Sequence, residues 1–221
     1  MRALVIAAVV LGAAGLGAAA AAQPTGRVVG TVKVTEADGQ PAVADVVVYV
    51  VGFNEPPTDK VTSIAQKGRK FVPALVAITL GEKVEFPNFD PFLHNVFSQS
   101  SPRKFDLGSF PKGETKEIGF PETGVVDVYC NIHPEMAASI LVLPNRRHTV
   151  VGPDGKFVLD GVPPGDWTVF AYARRARPIS AKVTVKAGAD APVDLAIVRG
   201  AEPAHLNKYG EKYKDGGPTY R

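Results

Sequence analysis

The sequence contains one cysteine, two methionines, four histidines and one tryptophan in 221 residues. A single cysteine excludes an intrachain disulfide. So few methionines and histidines leave no Met- or His-rich tract of the kind that storage chains add to hold metal. The formal net charge is only +3, too weak a surplus to point to nucleic acid as a partner. No stretch carries a long helical period, and no solenoid-type repeat is present. What the chain has instead is turn chemistry: 22 glycines and 19 prolines within a composition that is 45% hydrophobic. That balance suits a globular fold of short strands better than a helix bundle, and the length allows one or two domains.

The N-terminus bears on the compartment. Met1-Arg2 precedes an apolar stretch from Ala3 to Leu16 and an alanine run ending Ala20-Ala21-Ala22-Gln23-Pro24. A positive start, an apolar middle and small residues at the end describe a secretory signal peptide over residues 1–22, cut after Ala22. The stretch approaches the ~20 residues that span a bilayer, so an uncleaved anchor competes with this reading; its alanine and glycine content and its cleavage site favour removal. No cysteine stands at the cut to carry a lipid. The expectation is a periplasmic or secreted protein with no stable membrane insertion once the signal is removed. An odd cysteine in an exported chain needs explaining, and metal ligation explains it without oxidation.

That cysteine lies in Tyr129-Cys130-Asn131-Ile132-His133-Pro134-Glu135-Met136, where three soft-metal donors recur every third residue. The preceding Val125-Val126-Asp127-Val128-Tyr129 reads as a strand, with Cys130 on the side of Val126 and Val128. A thiolate at the strand's inner end, then an imidazole and a thioether from the loop, can converge on one ion. His94, in Phe92-Leu93-His94-Asn95-Val96-Phe97, is the candidate fourth ligand. Two imidazoles, a thiolate and a weak thioether form the ligand set of a blue-copper electron-transfer site. Each residue alone has a plainer reading: Cys130 as a small buried hydrophobe, Met136 as core filler, His94 as a loop residue. Structural zinc usually takes no thioether, and one cysteine cannot build a Cys₂His₂ set. A cysteine nucleophile needs an accessible thiolate and an oriented base, and the motif supplies no orienting group. His148 and His205 remain as bystanders, too few for a second, catalytic copper, so the chain is expected not to be an enzyme.

Phe71-Val72-Pro73, Gly81-Glu82-Lys83-Val84-Glu85-Phe86-Pro87-Asn88, His94-Asn95-Val96 and the Cys130–Met136 motif together resemble the cupredoxins, the amicyanin- and plastocyanin-like type 1 copper proteins. The resemblance covers residues 61–144, with Cys-x-x-His-x-x-Met as the short-loop version of the family motif. It implies a Greek-key β-sandwich holding one type 1 copper on His94, Cys130, His133 and Met136, with Met136 axial. It implies that Asn95 ties the two ligand loops together by hydrogen bonds. It also implies that electrons pass at the His133 edge, where Phe92, Leu93, Pro134 and Ala137 form an apolar rim.

The flanks carry Val29-Gly30-Thr31-Val32, Asp38-Gly39-Gln40-Pro41, Asp154-Gly155-Lys156-Phe157 and Val162-Pro163-Pro164-Gly165. These resemble the carboxypeptidase regulatory-like β-sandwich. Neither flank alone has strands enough for a stable sandwich, and joined they do. The expected layout is therefore all-β, with residues 26–60 and 145–198 making one small sandwich into which the copper domain, 61–144, is inserted. The competing layout adds residues 26–52 to the copper sandwich. Residues 199–221, polar and aperiodic, read as a flexible tail. The function implied is a carrier of single electrons between redox proteins, a cytochrome or a dehydrogenase among the candidate partners. Copper storage or delivery, or a copper-stabilised assembly module, is the alternative.

Overall fold

The computed structural model describes residues 24–42, 44–201 and 204–213. The expected signal peptide lies outside the described residues. Among those described there are strands, turns and bends and no helix, and so no helix long and apolar enough to cross a membrane. The protein is an all-β assembly of packed sheets.

Two strands open the chain, β1 (Gly26–Glu36) and β2 (Val46–Val51). Ten follow: β3 (Val61–Ser63), β4 (Ala65–Gln66), β5 (Phe71–Val72), β6 (Leu75–Thr79), β7 (Lys83–Pro87), β8 (His94–Ser98), β9 (Phe105–Phe110), β10 (Thr115–Gly119), β11 (Gly124–Tyr129) and β12 (Ala137–Leu143). Five close it: β13 (His148–Val150), β14 (Lys156–Val162), β15 (Gly165–Ala173), β16 (Ile179–Val185) and β17 (Asp190–Arg199).

The opening strands pair with the closing ones. β1 lies between β14 and β17, parallel to β17 with Val28 opposite Ala191 and Val34 opposite Ile197. β2 lies between β13 and β15 in the sheet β13-β2-β15-β16. Val28, Val48, Leu159, Val169, Val185 and Ile197 fill the core between these two sheets. The middle strands form the sheet β6-β12-β11-β8-β9 facing β10-β7-β3, with Phe86, Phe110, Phe120, Val128 and Ile140 between them.

Two strands explain how these cores adjoin. Strand side chains alternate faces, yet β2 (Val-Val-Val-Tyr-Val-Val) and β12 (Ala-Ala-Ser-Ile-Leu-Val-Leu) are apolar on both. Val46, Val48 and Val50 face one core and Ala138, Ile140 and Val142 the other. The opposite faces meet in a third cluster, where Val47 and Tyr172 pack with Leu75, Leu141 and Leu143. The chain leaves and re-enters the middle unit side by side. Buried Asn145 donates through Nδ2 to the carbonyls of Val50 and Phe53, both at 3.0 Å. Glu55 accepts from Arg147 Nε and from the Arg146 amide.

Within the stretch expected as a flexible tail, residues 204–213 lie against the middle unit, held by hydrogen bonds from Lys208 and Tyr213 and by a ring stack on Tyr129. A polar composition says that a segment cannot form a core; it does not say that its polar groups lack partners in the fold.

Candidate metal centre

β11 runs antiparallel to β8, so the end of one lies beside the start of the other. Cys130 follows the last residue of β11 and His94 is the first of β8. The chain then turns back tightly, since Tyr129 and Ala137 face each other across β11 and β12. Met136 N donates to the His133 carbonyl at 3.0 Å and Cys130 N to the Met136 carbonyl at 3.3 Å. Topology therefore delivers residues 94, 130, 133 and 136 to one pole of the sandwich. His94 lies in a strand, where its sequence neighbourhood also allowed a loop. A register shift between Asn95 and Phe97 in the β8–β9 pairing marks a bulge beside the site.

The donor atoms converge. His94 Nδ1 and His133 Nδ1 are 3.1 Å apart, Cys130 Sγ is 3.8 Å from the first and 3.9 Å from the second. A triangle with those sides has an in-plane point about 2.1 Å from every vertex, close to metal–nitrogen and metal–sulfur bond lengths. The three residues form a metal-capable cluster. Met136 is fully buried in the same core as Cys130, at the end of the loop that closes this pole. His94 and Cys130 are fully buried and His133 is half-buried.

Burial favours the neutral thiol and the neutral imidazole at this pole. Burial pushes the Cys130 thiol up, against the pull of nearby backbone N–H groups. Burial and the neighbouring His94 push the His133 imidazole down. Metal binding takes up the thiolate and the neutral imidazoles, so a metal resolves what burial makes costly. Two imidazoles with one thiolate and an available thioether suit copper better than zinc, and the donor set points to copper binding.

Asp90, which the sequence reading did not single out, orients His94. Its Oδ2 accepts from His94 Nε2 at 2.8 Å. The hydrogen bond assigns the proton to Nε2 and leaves the Nδ1 lone pair facing Cys130 and His133. Burial raises the Asp90 carboxyl, but the Arg69 amide, His94 and the Gly68 amide outweigh it and hold it below the usual carboxylate range. Those amides donate at 2.9 and 2.7 Å. Gly68 (φ 63) and Arg69 (φ 55) are both left-handed, which turns two successive N–H groups onto one carboxylate. Asn88 sets the loop: its Oδ1 accepts from Asp90 N and its Nδ2 donates to the Phe92 and Phe110 carbonyls. The only sequence signal was a carboxylate four residues before His94.

Asn95 donates through Nδ2 to Asp106 and accepts through Oδ1 from Asn131 N at 3.2 Å, so it bridges the His94 strand and the Cys130–Met136 loop. The Asn95 amide lies 3.5 Å from Cys130 Sγ. Phe92 touches both imidazoles, its ring centre 5.2 Å from His94 and 5.3 Å from His133. Leu93 and Phe89 are exposed, while Pro134 and Ala137 are half-buried. His148 lies apart from the cluster, in β13 opposite Tyr49. His205 also lies outside it, stacked on Tyr129.

No protein-family model matches the chain, and no curated protein sequence matches it. Solved structures do show partial likeness. A copper-containing nitrite reductase from Thermus scotoductus SA-01 is 26% identical over 42% of this chain, with a TM-score of 0.37. The overlap spans only 25% of that reductase. A purple cupredoxin from Nitrosopumilus maritimus is 25% identical over 37% of this chain and 98% of its own length, with a TM-score of 0.34. A Cu(I) amicyanin variant is 17% identical over 43% of this chain and 97% of its own, with a TM-score of 0.36.

Proposed function

We propose that the protein is a type 1 copper protein of the cupredoxin kind, carrying single electrons between redox partners outside the cytoplasm. The observation that carries this reading is the convergence of His94 Nδ1, Cys130 Sγ and His133 Nδ1 around a common point at metal-bonding distance. Met136 is buried in the loop that closes that point. Bound copper supplies a one-electron couple that His₂Cys with a weak thioether serves in both oxidation states. The protein's part is rigidity. Asp90 fixes the His94 ring, Asn95 fixes the spacing of the two ligand segments, and the Phe92 ring packs against both imidazoles. Such fixed donors leave little to rearrange when an electron arrives or departs.

His133, half-buried, is the edge through which a partner would exchange electrons. Exposed Leu93 and Phe89 and half-buried Phe92 and Pro134 supply apolar surface of the modest size that transient redox encounters use. In this reading the partner is a cytochrome or dehydrogenase, the chain is not an enzyme, and a signal peptide over 1–22 exports it.

The second unit belongs to the same proposal. Residues 26–60 and 145–198 form a carboxypeptidase regulatory-like sandwich, with the copper domain, 61–144, inserted between them. This is supported by the pairing of β1 with β14 and β17, and of β2 with β13 and β15. The adjacent crossings at Glu55 and Asn145 support it too. The unit would serve as a platform for docking.

The test is the optical and EPR spectrum of protein loaded with copper(II). Wild type is expected to show an intense thiolate-to-copper band that Cys130→Ser abolishes. A spectrum without that band, in protein that retains copper, sinks the proposal. Rapid, reversible one-electron cycling would separate a carrier from a storage or delivery protein, which would hold copper and fail to reoxidise.

A further inference from the structure

After β17 the chain leaves the flanking sheets and returns to the metal pole. Residues 204–213 are a folded piece there. Asn207 is buried, its Oδ1 accepts from Tyr209 N and Glu211 N, and Gly210 (φ 81) closes the turn through its amide to the Asn207 carbonyl. His205 stacks flat on Tyr129, the residue before Cys130, with ring centres 4.0 Å apart and planes 11° from parallel. Tyr213 meets His205 edge-on at 5.4 Å, and its hydroxyl donates to the Cys130 carbonyl at 3.3 Å.

Lys208 closes a circuit. Its amide donates to Asn131 Oδ1 at 3.0 Å, and the Asn131 amide donates to Asn95 Oδ1. Asn95 Nδ2 donates to Asp106 Oδ1 at 2.6 Å, and Lys208 Nζ pairs with Asp106 Oδ2 at 2.8 Å. Four residues from four separate segments therefore form one ring of hydrogen bonds. It includes the residue after His94 and the residue after Cys130. A segment serving only as a tether to the core would not need to satisfy both ligand-bearing segments at once.

We propose that residues 204–213 are a strap in which Lys208 and Tyr213 act as positioning residues for the metal centre. They lock the Cys130–Asn131 turn, which keeps the buried thiol from opening to solvent, and help to set the reduction potential. The last of these rests on the copper reading; the locking does not. The sign of the potential shift follows from charge. The oxidised site carries one more positive charge than the reduced one. Lys208 Nζ offsets the Asp106 carboxylate 2.8 Å away, and without it that anion would favour the oxidised form, so the strap raises the potential.

The experiment compares wild type, a chain ending at Ala201, and a full-length Lys208→Ala/Tyr213→Phe variant. In copper-free protein the rate at which Cys130 reacts with an aromatic disulfide is measured. The thiolate attacks one sulfur, a mixed disulfide forms and the aromatic thiolate leaves. Both altered proteins are expected to react faster, on the order of tenfold, because lost hydrogen bonds make local opening easier. With copper bound, their potentials are expected to fall while the thiolate band remains, and restoring the cation with Lys208→Arg beside Tyr213→Phe should recover part of the shift. The full-length variant keeps the test sound if the shortened chain folds poorly. Wild-type thiol rates and wild-type potential in that variant would overturn the strap. A wild type that takes up no copper would defeat the copper reading instead, and the thiol rates would still judge the locking.

Discussion

The most informative single change is Asp90→Asn, which keeps the shape of the side chain and removes its charge. In the native loop Oδ1 accepts from Gly68 N at 2.7 Å, and Oδ2 accepts from both Arg69 N at 2.9 Å and His94 Nε2 at 2.8 Å. An amide cannot serve three donors. With its NH₂ toward Gly68, one part-buried pair becomes donor against donor; turned the other way, the Arg69 pair does, and so does the His94 pair unless its proton moves to Nδ1. The first orientation costs less and keeps the proton on Nε2: Gly68 is exposed, so its lost bond lies toward the low end of the roughly 1–3 kcal/mol of a buried unpaired N–H. His94 then keeps a neutral acceptor in place of a charged one, with about half the bond strength. Copper-free protein should therefore lose about 2–3 kcal/mol of stability.

The effect on metal is separate. A carboxylate can only accept from His94, which keeps the proton on Nε2. An amide can also donate to Nε2, which allows the proton to move to Nδ1, the nitrogen that faces Cys130. Removing such an outer partner typically costs 10–100-fold in metal affinity, about 1.4–2.7 kcal/mol. Competition against a copper(I)-chelating dye measures the affinity, and urea denaturation of the copper-free protein measures stability. Affinity within twofold of wild type in Asp90→Asn, alongside a collapse in Cys130→Ser, would refute the assignment of Asp90 as the residue that orients His94.

Two further outcomes are expected. Met136→Leu should keep the thiolate colour and raise the reduction potential, because losing a weak axial donor disfavours the oxidised ion; voltammetry showing an unchanged potential would remove Met136 from the site. Burial raises the Glu55 carboxyl, but Arg147 and Arg146 outweigh it and hold it below the usual range. A carboxyl depressed in the fold contributes stability above its unfolded value, and that contribution is lost as pH falls through the folded value. Glu55→Gln should therefore cost about 1.5–3 kcal/mol at neutral pH and less in acid, read from thermal melts across that range; equal losses at every pH would contradict the pairing.

The ligand candidates were legible because their signal is local. Cys130, His133 and Met136 advertise themselves by type and by spacing, and His94 by standing before a β-prone Val96-Phe97. Asp90 was not legible. A carboxylate four residues before a histidine is ordinary in a loop, and it matters here because two left-handed residues more than twenty positions upstream aim their amides at it. Lys208 and Tyr213 were hidden for a related reason. Their partners are a side-chain amide, a carboxylate and a backbone carbonyl in other segments, and composition does not encode such pairings.

The two-faced strands carry the same lesson into the architecture. An apolar run such as Ile140-Leu141-Val142-Leu143 announces burial on both sides without naming what lies on the second side. In the fold that side is Val47 and Tyr172 of the flanking sheets. Leu75, Leu141 and Leu143 would thus be uncovered if residues 61–144 were excised alone, an apolar patch of the kind that promotes association. β12 begins at Ala137, beside the ligand loop, and ends at Leu143, where the chain crosses to the flanking sheets. Seven strand residues span about 20 Å. The chain crossings thus lie a full strand length from the ligand loop, an arrangement that anchors the middle unit at one end and keeps His133 at the other.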